Sequence, residues 1–417
     1  MSAIRVAIVA RAVYPFHGVG GLERSVYDLA RHLAREGMSV TVITRDPSCE
    51  HAAGVFPRNV RTIFVPYRTF PFANRRGTTV LDRSTAYPLF GLRAGRVALD
   101  LVRANAVDIV HGFGASVLGY ARHRRSVRAP LVLNPQGLEE FGATDPTRAR
   151  LKRAFYLPLR KAVRACARSA DCIIATDRVL VPVVRDHLKV PPHRIRTIPN
   201  GVDLEALDRA AARADAWRVK NEAGIGAGEH VLLSVGRLEQ NKGFQVLTEA
   251  LAALRAHGSA NSAENWKWVL VGDGPYRGRI EDAIRRANLT DHVVLTGRVD
   301  EVTLHSWYQA TTLFVHPTLY EGSSLVTLEV MAHGRPVIAT EAGGLPDKVK
   351  PGVNGWLVPP GRPDALAAAL SRALGSAPDL PAMGRAGRRI VEDEFSWPIL
   401  ARMHAQMYRE VLSQVQS

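Results

Sequence analysis

Short apolar runs rich in valine and isoleucine recur from end to end of this chain, separated by longer stretches whose apolar positions fall at helical spacing. That alternation predicts βαβ units and parallel sheets, because a strand covered on both faces reads as an unbroken apolar run. The first half offers strands at residues 4–10 (IRVAIVA), 39–44, 108–111 (DIVH), 130–134, 171–176 and 194–199. A second series begins at 230–236 (HVLLSVG) and continues at 266–274, 292–297, 312–317 and 335–340. The expected fold is α/β, two doubly wound Rossmann-like domains facing a cleft.

The two series meet at Pro199-Asn200-Gly201-Val202-Asp203, where proline and glycine stop a strand and a polar, helix-like stretch at 205–222 follows. The reading is an N-terminal domain at 1–204, a C-terminal domain at 205–394, and a final helix at 395–417 that returns to the first domain. A chain of 417 residues suits two domains of about 200 residues each. With 46% hydrophobic and 23% charged residues, the composition is that of a globular protein.

Charge changes the picture once it is divided. Residues 1–200 carry 32 Lys and Arg against 14 Asp and Glu, whereas the remainder carries 23 against 25. A basic first half implies an anionic partner such as membrane phosphate, nucleic acid or an acidic substrate, with solvated helix faces taking a share. Cys49, Cys166 and Cys172 are too few for a disulfide framework and lack metal-ligand spacing, which fits a reducing cytoplasm. The run Val6 to Ala10 stops at Arg11 and reads as a buried strand rather than a secretory leader, and no stretch of about 20 apolar residues spans a membrane.

The richest chemistry lies between Glu321 and Asp347. A buried strand is followed by a Gly-Ser-Ser turn and a helix starting near Ser324, whose unpaired N–H groups suit a diphosphate. Ser323 and Ser324 add hydroxyl donors. Glu321 precedes the helix and Glu329 lies inside it, so the carboxylates should have different tasks: Glu329 accepting from vicinal hydroxyls, as on a ribose, and Glu321 reaching the transferred sugar. The plain alternative makes both of them surface glutamates.

In SVGRLEQNKGF (234–244), Arg237 and Lys242 bring two cations to the carboxyl end of a strand, where open α/β sheets place ligands. Such cations stabilise a departing diphosphate. The loop Gly18-Val19-Gly20-Gly21-Leu22-Glu23 invites a dinucleotide reading, but its spacing is G-x-G-x-x-E.

With GGLE (20–23), IPNGVD (198–203), GRLEQNKG (236–243), VGDGP (271–275), TGRV (296–299), the Glu321/Glu329 pair and GLPD (344–347), the whole chain resembles the family 4 retaining glycosyltransferases of GT-B fold. The resemblance implies that Gly21 approaches the donor phosphate and that Arg237 and Lys242 hold the diphosphate. It implies backbone contacts from Arg298 and Val299 to the base, Glu329 on the ribose, Glu321 on the donor sugar, and amides near Ser324 and Leu325 on phosphate. It implies no cofactor and no divalent metal, the substrate being a nucleoside-diphosphate-sugar with UDP or GDP as carrier.

For the catalytic step, His111 in DIVHGFG (108–114) is expected to end a strand and face the cleft, binding a sugar hydroxyl or orienting the acceptor; a structural histidine is the alternative. The family often has a second histidine two residues on, where this chain has Phe113. Glu23, Glu139 and Glu140 are further acceptor candidates, each equally a cap or surface charge.

Eight basic residues between Arg148 and Arg168 (Arg148, Arg150, Lys152, Arg153, Arg160, Lys161, Arg164 and Arg168) interleave with Leu151, Phe155, Leu159, Ala162 and Cys166. They predict a basic amphipathic helix bent near Pro158, able to rest on an anionic bilayer or to turn its apolar face inward. With Arg122, Arg124, Arg125 and Arg128, the surface suits a lipid-linked acceptor in cell-surface polysaccharide assembly and a peripheral place at the membrane. No nucleic acid is expected, as no aromatic stacking set accompanies the charge. A soluble sugar phosphate or small-molecule acceptor, a non-catalytic nucleotide-sugar scaffold and a dehydrogenase are the competing readings.

Overall fold

The computed structural model describes residues 3–18, 20–47, 55–69, 78–141, 155–257 and 265–416. The chain divides into two compact units, Met1–Asn200 with Trp397–Ser417, and Gly201–Ser396.

The first unit is built on a seven-stranded parallel sheet, β1 (Arg5–Val9), β2 (Ser39–Arg45), β3 (Val60–Val65), β4 (Ile109–Phe113), β5 (Leu131–Asn134), β6 (Cys172–Ala175) and β7 (Ile195–Thr197). The spatial order is β3-β2-β1-β4-β5-β6-β7. The sequence reading had no counterpart of β3, whose middle residues are only half-buried. The second unit carries β8 (His230–Val235), β9 (Trp266–Val271), β10 (Val293–Gly297), β11 (Leu313–His316), β12 (Val337–Thr340) and β13 (Gly355–Val358). They run in the order β10-β9-β8-β11-β12-β13. The last strand, GWLV, is too short and glycine-led to declare itself by pattern.

Each sheet reverses its winding once, between β1 and β4 and between β8 and β11. Ligands of open α/β sheets lie outside the carboxyl ends of strands at such a reversal.

Alternation along the strands sorts the side chains into two layers. In β1, Ala7 and Val9 join one core with Val110, Leu131 and Leu133. Val6 and Ile8 join the other with helix α1 (Gly21–Arg35), through Val26, Leu29, Ala30 and Leu33. Helix α2 (Thr78–Arg103) and helix α3 (Leu157–Ser169) lie on the first of these faces. Pro158 sits in the first turn of α3, where its missing N–H is harmless, so it opens this helix rather than bending it. Arg148, Arg150, Leu151, Lys152 and Arg153, like Val19 and Cys49, lie outside the described residues.

Between the two sheets' strands, Leu204–Ala211 and Ala216–Glu222 form two short helices rather than one. Asp203 and Asp215 cap them by accepting from the N–H of Ala206 and Arg218. The second unit's helices include α4 (Phe244–His257), α5 (Glu301–Ala310), α6 (Leu325–Ala332) and the single turn α7 (Leu345–Lys348). The terminal helix α8 (Trp397–Gln416) places Trp397, Leu400, Tyr408 and Val411 in the core shared by α1 and β1, and so belongs to the first unit.

Candidate active site

The site of the second unit assembles where β8 and β11 end. After β8 the chain makes one tight turn, Gln240–Lys242, and leaves through Gly243 at φ +69°. A Cβ at Gly243 would stand 1.9 Å from the carbonyl oxygen of Pro317, so only glycine lets this turn close on the segment after β11. Gly343, at φ +53°, does the same on the other side, where a Cβ would meet the Glu321 carbonyl at 2.0 Å. Two glycines thus hold the Glu321 loop between its neighbours.

Within that frame the Lys242 Nζ stands 2.6 Å from Glu321 Oε2, and the His316 Nε2 stands 3.1 Å from the same oxygen. Glu321 Oε1 accepts from the Gly322 N–H at 3.2 Å. Burial works to raise the Glu321 pKa, but His316 and Lys242 outweigh it and hold the carboxyl well below the usual range. Burial also lowers the pKa of His316, against the pull of Glu321. A neutral His316 therefore donates its Nε2–H to an ionised Glu321. The sequence reading did not single out His316, although it ends β11 in the way His111 was expected to end β4.

Ser324 takes the N-cap position of α6, its hydroxyl accepting from the Thr327 N–H at 3.4 Å and contacting Thr327 Oγ1 at 3.0 Å. The Ser324 oxygen caps the helix and Ser323 Oγ accepts from the Lys348 Nζ at 3.2 Å, and accepting these bonds leaves each hydroxyl its own proton to donate. The turn also offers a ligand the start of an eight-residue helix that begins at Leu325. Glu329, one turn inside, is half-buried and accepts from the buried Tyr308 hydroxyl at 2.7 Å. His333, four residues on, hydrogen-bonds the Glu329 carbonyl and the ring of His305, at 2.8 and 3.0 Å.

Arg237 follows β8, but its side chain is 66% exposed and pairs with Glu239 at 3.2 Å, apart from the Lys242–Glu321 pair. Arg298 and Val299 follow β10 at the sheet edge, Arg298 exposed and Val299 packed against the core.

In the first unit Gly20 caps α1 in extended conformation and Gly21, its first residue, is exposed. Gly21 lines a cavity of about 400 Å³ at the carboxyl ends of β1, β4 and β5, together with Arg11, Glu23, Arg83, Phe113 and Glu140. The Arg11 guanidinium lies 4.9 Å from the centre of the Tyr87 ring, and Tyr87 donates to the Phe113 carbonyl at 2.9 Å. The Glu139 side chain lies outside the described residues.

His111 departs from expectation. β4 continues through Phe113, paired with Asn134 of β5, so His111 sits in mid-strand rather than at its end. It is 0% exposed, stands 2.6 Å from the Tyr408 hydroxyl of α8, and stacks on Phe113 and His404 with centroids 4.8 and 5.9 Å apart. Burial lowers its pKa well below the ordinary value. His111 is a joint between β4 and α8, closed to a substrate.

The basic segment is divided by use. Arg124 forms a bidentate pair with Asp171 at 2.7 and 2.9 Å. Arg160 and Arg164 lie over Phe141, each 5.1 Å from its centre. Leu159, Ala162, Val163, Cys166 and Ala167 turn the apolar face of α3 into the core, while Lys161, Arg168, Arg122, Arg125 and Arg128 stay exposed. No described helix is long and apolar enough to cross a membrane.

Comparison with known proteins agrees with this geometry. The model of Glycosyltransferase Family 4 matches residues 19–206, and that of Glycosyl transferases group 1 matches residues 229–376. An uncharacterized glycosyltransferase of Methanocaldococcus jannaschii is 26% identical over 405 residues, 95% of this chain and 96% of its own length. The 2-deoxystreptamine glucosyltransferase of Streptomyces kanamyceticus is 31% identical over 258 residues, 61% of this chain and 65% of its own. The sucrose-phosphate synthase of Thermosynechococcus elongatus superposes with a TM-score of 0.75 at 25% identity, covering 99% of this chain and 100% of that one. Two family models laid end to end over two Rossmann-like units, with the Glu321–Lys242–His316 cluster where the second sheet reverses, lead to one conclusion: the chain belongs to glycosyltransferase family 4 and is a glycosyltransferase of GT-B fold.

Proposed function

We propose that this glycosyltransferase takes its sugar from a nucleoside-diphosphate-sugar, carried on UDP or GDP, and delivers it to an acceptor hydroxyl with retention of configuration and without a divalent metal. The observation that carries the donor reading is the ionised Glu321 held by Lys242 and His316 beside the start of α6. Lys242 and the N–H groups near Ser324 and Leu325 bind the diphosphate, and the exposed Arg237 reaches it by leaving its surface pair with Glu239. Glu321 takes a hydroxyl of the sugar, Glu329 the ribose, and the backbone of Arg298 and Val299 the base.

In the transfer step the bond from the anomeric carbon to the phosphate oxygen breaks while a bond to the acceptor oxygen forms on the same face. The acceptor's proton passes to the departing phosphate oxygen, so no protein nucleophile is needed. The protein stabilises the charge that grows on the diphosphate, with lysine and helix end in place of a metal.

For the acceptor we propose a lipid-linked or glycan intermediate of cell-surface polysaccharide assembly, met at the cytoplasmic membrane face. The support is the exposure of five cations of the first unit, Lys161, Arg168, Arg122, Arg125 and Arg128. A soluble sugar phosphate or small molecule is the second reading. It is favoured by the cations spent internally at Arg124, Arg160 and Arg164, and by the small charged cavity beside Gly21. The names of the glucosyltransferase and synthase relatives point the same way.

A thermal-shift screen with UDP, GDP, ADP and CMP tests the donor, because a ligand that binds the folded state raises the midpoint. No shift with any of them removes the reading. Radiolabelled sugar appearing in solvent-extracted product, and sedimentation with anionic liposomes at low salt, would support the lipid acceptor; label in the aqueous phase would support the other. Activity that survives EDTA, and a product whose anomeric configuration matches the donor, test the remaining two terms.

A further inference from the structure

The donor reading leaves one buried cation of the second unit without a task. Lys348 closes α7 and is only 2% exposed, among the most deeply buried large side chains of the chain. Its Nζ donates to the Ser324 carbonyl at 2.7 Å and to Ser323 Oγ at 3.2 Å. The ammonium therefore lies against the turn that opens α6, and it contributes to keeping His316 neutral.

Two physical facts make this placement informative. A buried ammonium is costly to desolvate and survives only with hydrogen-bond partners around it. The start of a helix is also the positive end of its dipole, so a cation there opposes the helix instead of supporting it. Both costs are offset if an anion occupies the outer side of the same turn. Sequence patterning hides the residue, since a lysine after GLPD reads as an exposed helix end.

Resting on the donor site proposed above, we propose that Lys348 is a positioning residue for the departing diphosphate. It ties the Ser323–Ser324 turn to α7, and it sets a buried positive charge behind the N–H groups that face the phosphate. Lys242 acts on the diphosphate from the solvent side of the same turn and Lys348 from the protein side.

The test is calorimetric titration of wild type, Lys348→Met and Lys348→Gln with UDP, UMP and uridine, and with the guanosine series in parallel. The Met variant is expected to lose about tenfold in affinity for the diphosphate and little for the nucleoside, because a hydrogen-bonded charge is removed. The Gln variant, which keeps a donor for the Ser324 carbonyl without the charge, should fall between. Equal losses for diphosphate and nucleoside, or no loss for the diphosphate, would overturn the assignment while leaving the donor site intact. Wild type that binds neither UDP nor GDP would sink the donor reading itself. If Lys348→Met fails to fold, Ser323→Ala removes one partner of the ammonium at the half-buried turn. A ratio of diphosphate to nucleoside affinity about twofold below wild type supports the role, and an unchanged ratio overturns it.

Discussion

Strands β4 and β11 occupy the same place in the two sheets, each lying beside its sheet's first strand where the winding reverses. Each carries a buried histidine with a lowered pKa, His111 in one and His316 in the other. There the likeness stops. β11 ends at His316, so its ring meets the loop beyond the strand and donates to Glu321. β4 runs two residues further, which buries His111 in the sheet layer under α8, against Tyr408 and His404. One histidine meets a carboxylate at the proposed donor site and the other fastens a terminal helix. Residue type and neighbouring strands are the same; the length of strand beyond the histidine decides the role.

The contrast can be broken most severely at Glu321. Glu321→Gln keeps the volume and removes the charge that orders Lys242 and His316, and kcat per folded molecule should fall by about 10²–10³, with the folding midpoint falling as well because a buried ion pair loses one partner. A fall below threefold would place the reacting sugar elsewhere.

Acid should test the buried histidines of both units next. Burial pushes His404 down to about 4, and His333 in the second unit also to about 4, from an ordinary 6.5. Between those values the unfolded chain binds the proton and the folded one does not, so stability falls as pH drops from 6.5 towards 4. Each such histidine contributes up to about 3 kcal/mol to that loss. Glu321 stays ionised throughout the window. Urea midpoints measured from pH 7 to pH 4.5 should therefore decline, and His404→Phe should flatten the decline; an unchanged slope in that variant would show that the joint does not titrate.

Glu329→Ala should then raise the donor KM by about tenfold with kcat nearly unaltered, the pattern of lost ground-state binding. Comparable damage to kcat would merge the tasks of the two glutamates. The smallest effect is expected on the structural side of the comparison. Tyr408→Phe deletes the hydroxyl bonded to His111 and should cost about 1 kcal/mol of stability with kcat per folded molecule unchanged. A hundredfold loss of kcat in that variant would return His111 to the chemistry.

Much of this was legible in the chain itself. Eleven apolar runs predicted strands that the structure contains, most of them trimmed by a residue or two and β9 by three, while β2 and β4 run on by one and two residues. β3 and β13 escaped because the first is half-buried along its middle and the second has four residues opening on glycine. At the site, Glu321, Lys242 and the helix start at Ser324 were readable from spacing, since a strand, a glycine turn and a capped helix are local features. Lys348 and His316 were not, because their partners are set by how separate loops pack.

Sequence alone determined the class of fold, two runs of strand and helix, and the places of most strands, though not where β4 ends. Hydrophobic periodicity and turn chemistry act over a few residues, and so they are written in a few residues. Only the tertiary structure decided which charges work together. The Lys242–Glu321 pair spans 79 positions, and the His111–Tyr408 pair spans 297. Such pairs exist because a low-dielectric interior makes an unpartnered polar group costly, and the partner it finds is whichever element the fold has carried to that place.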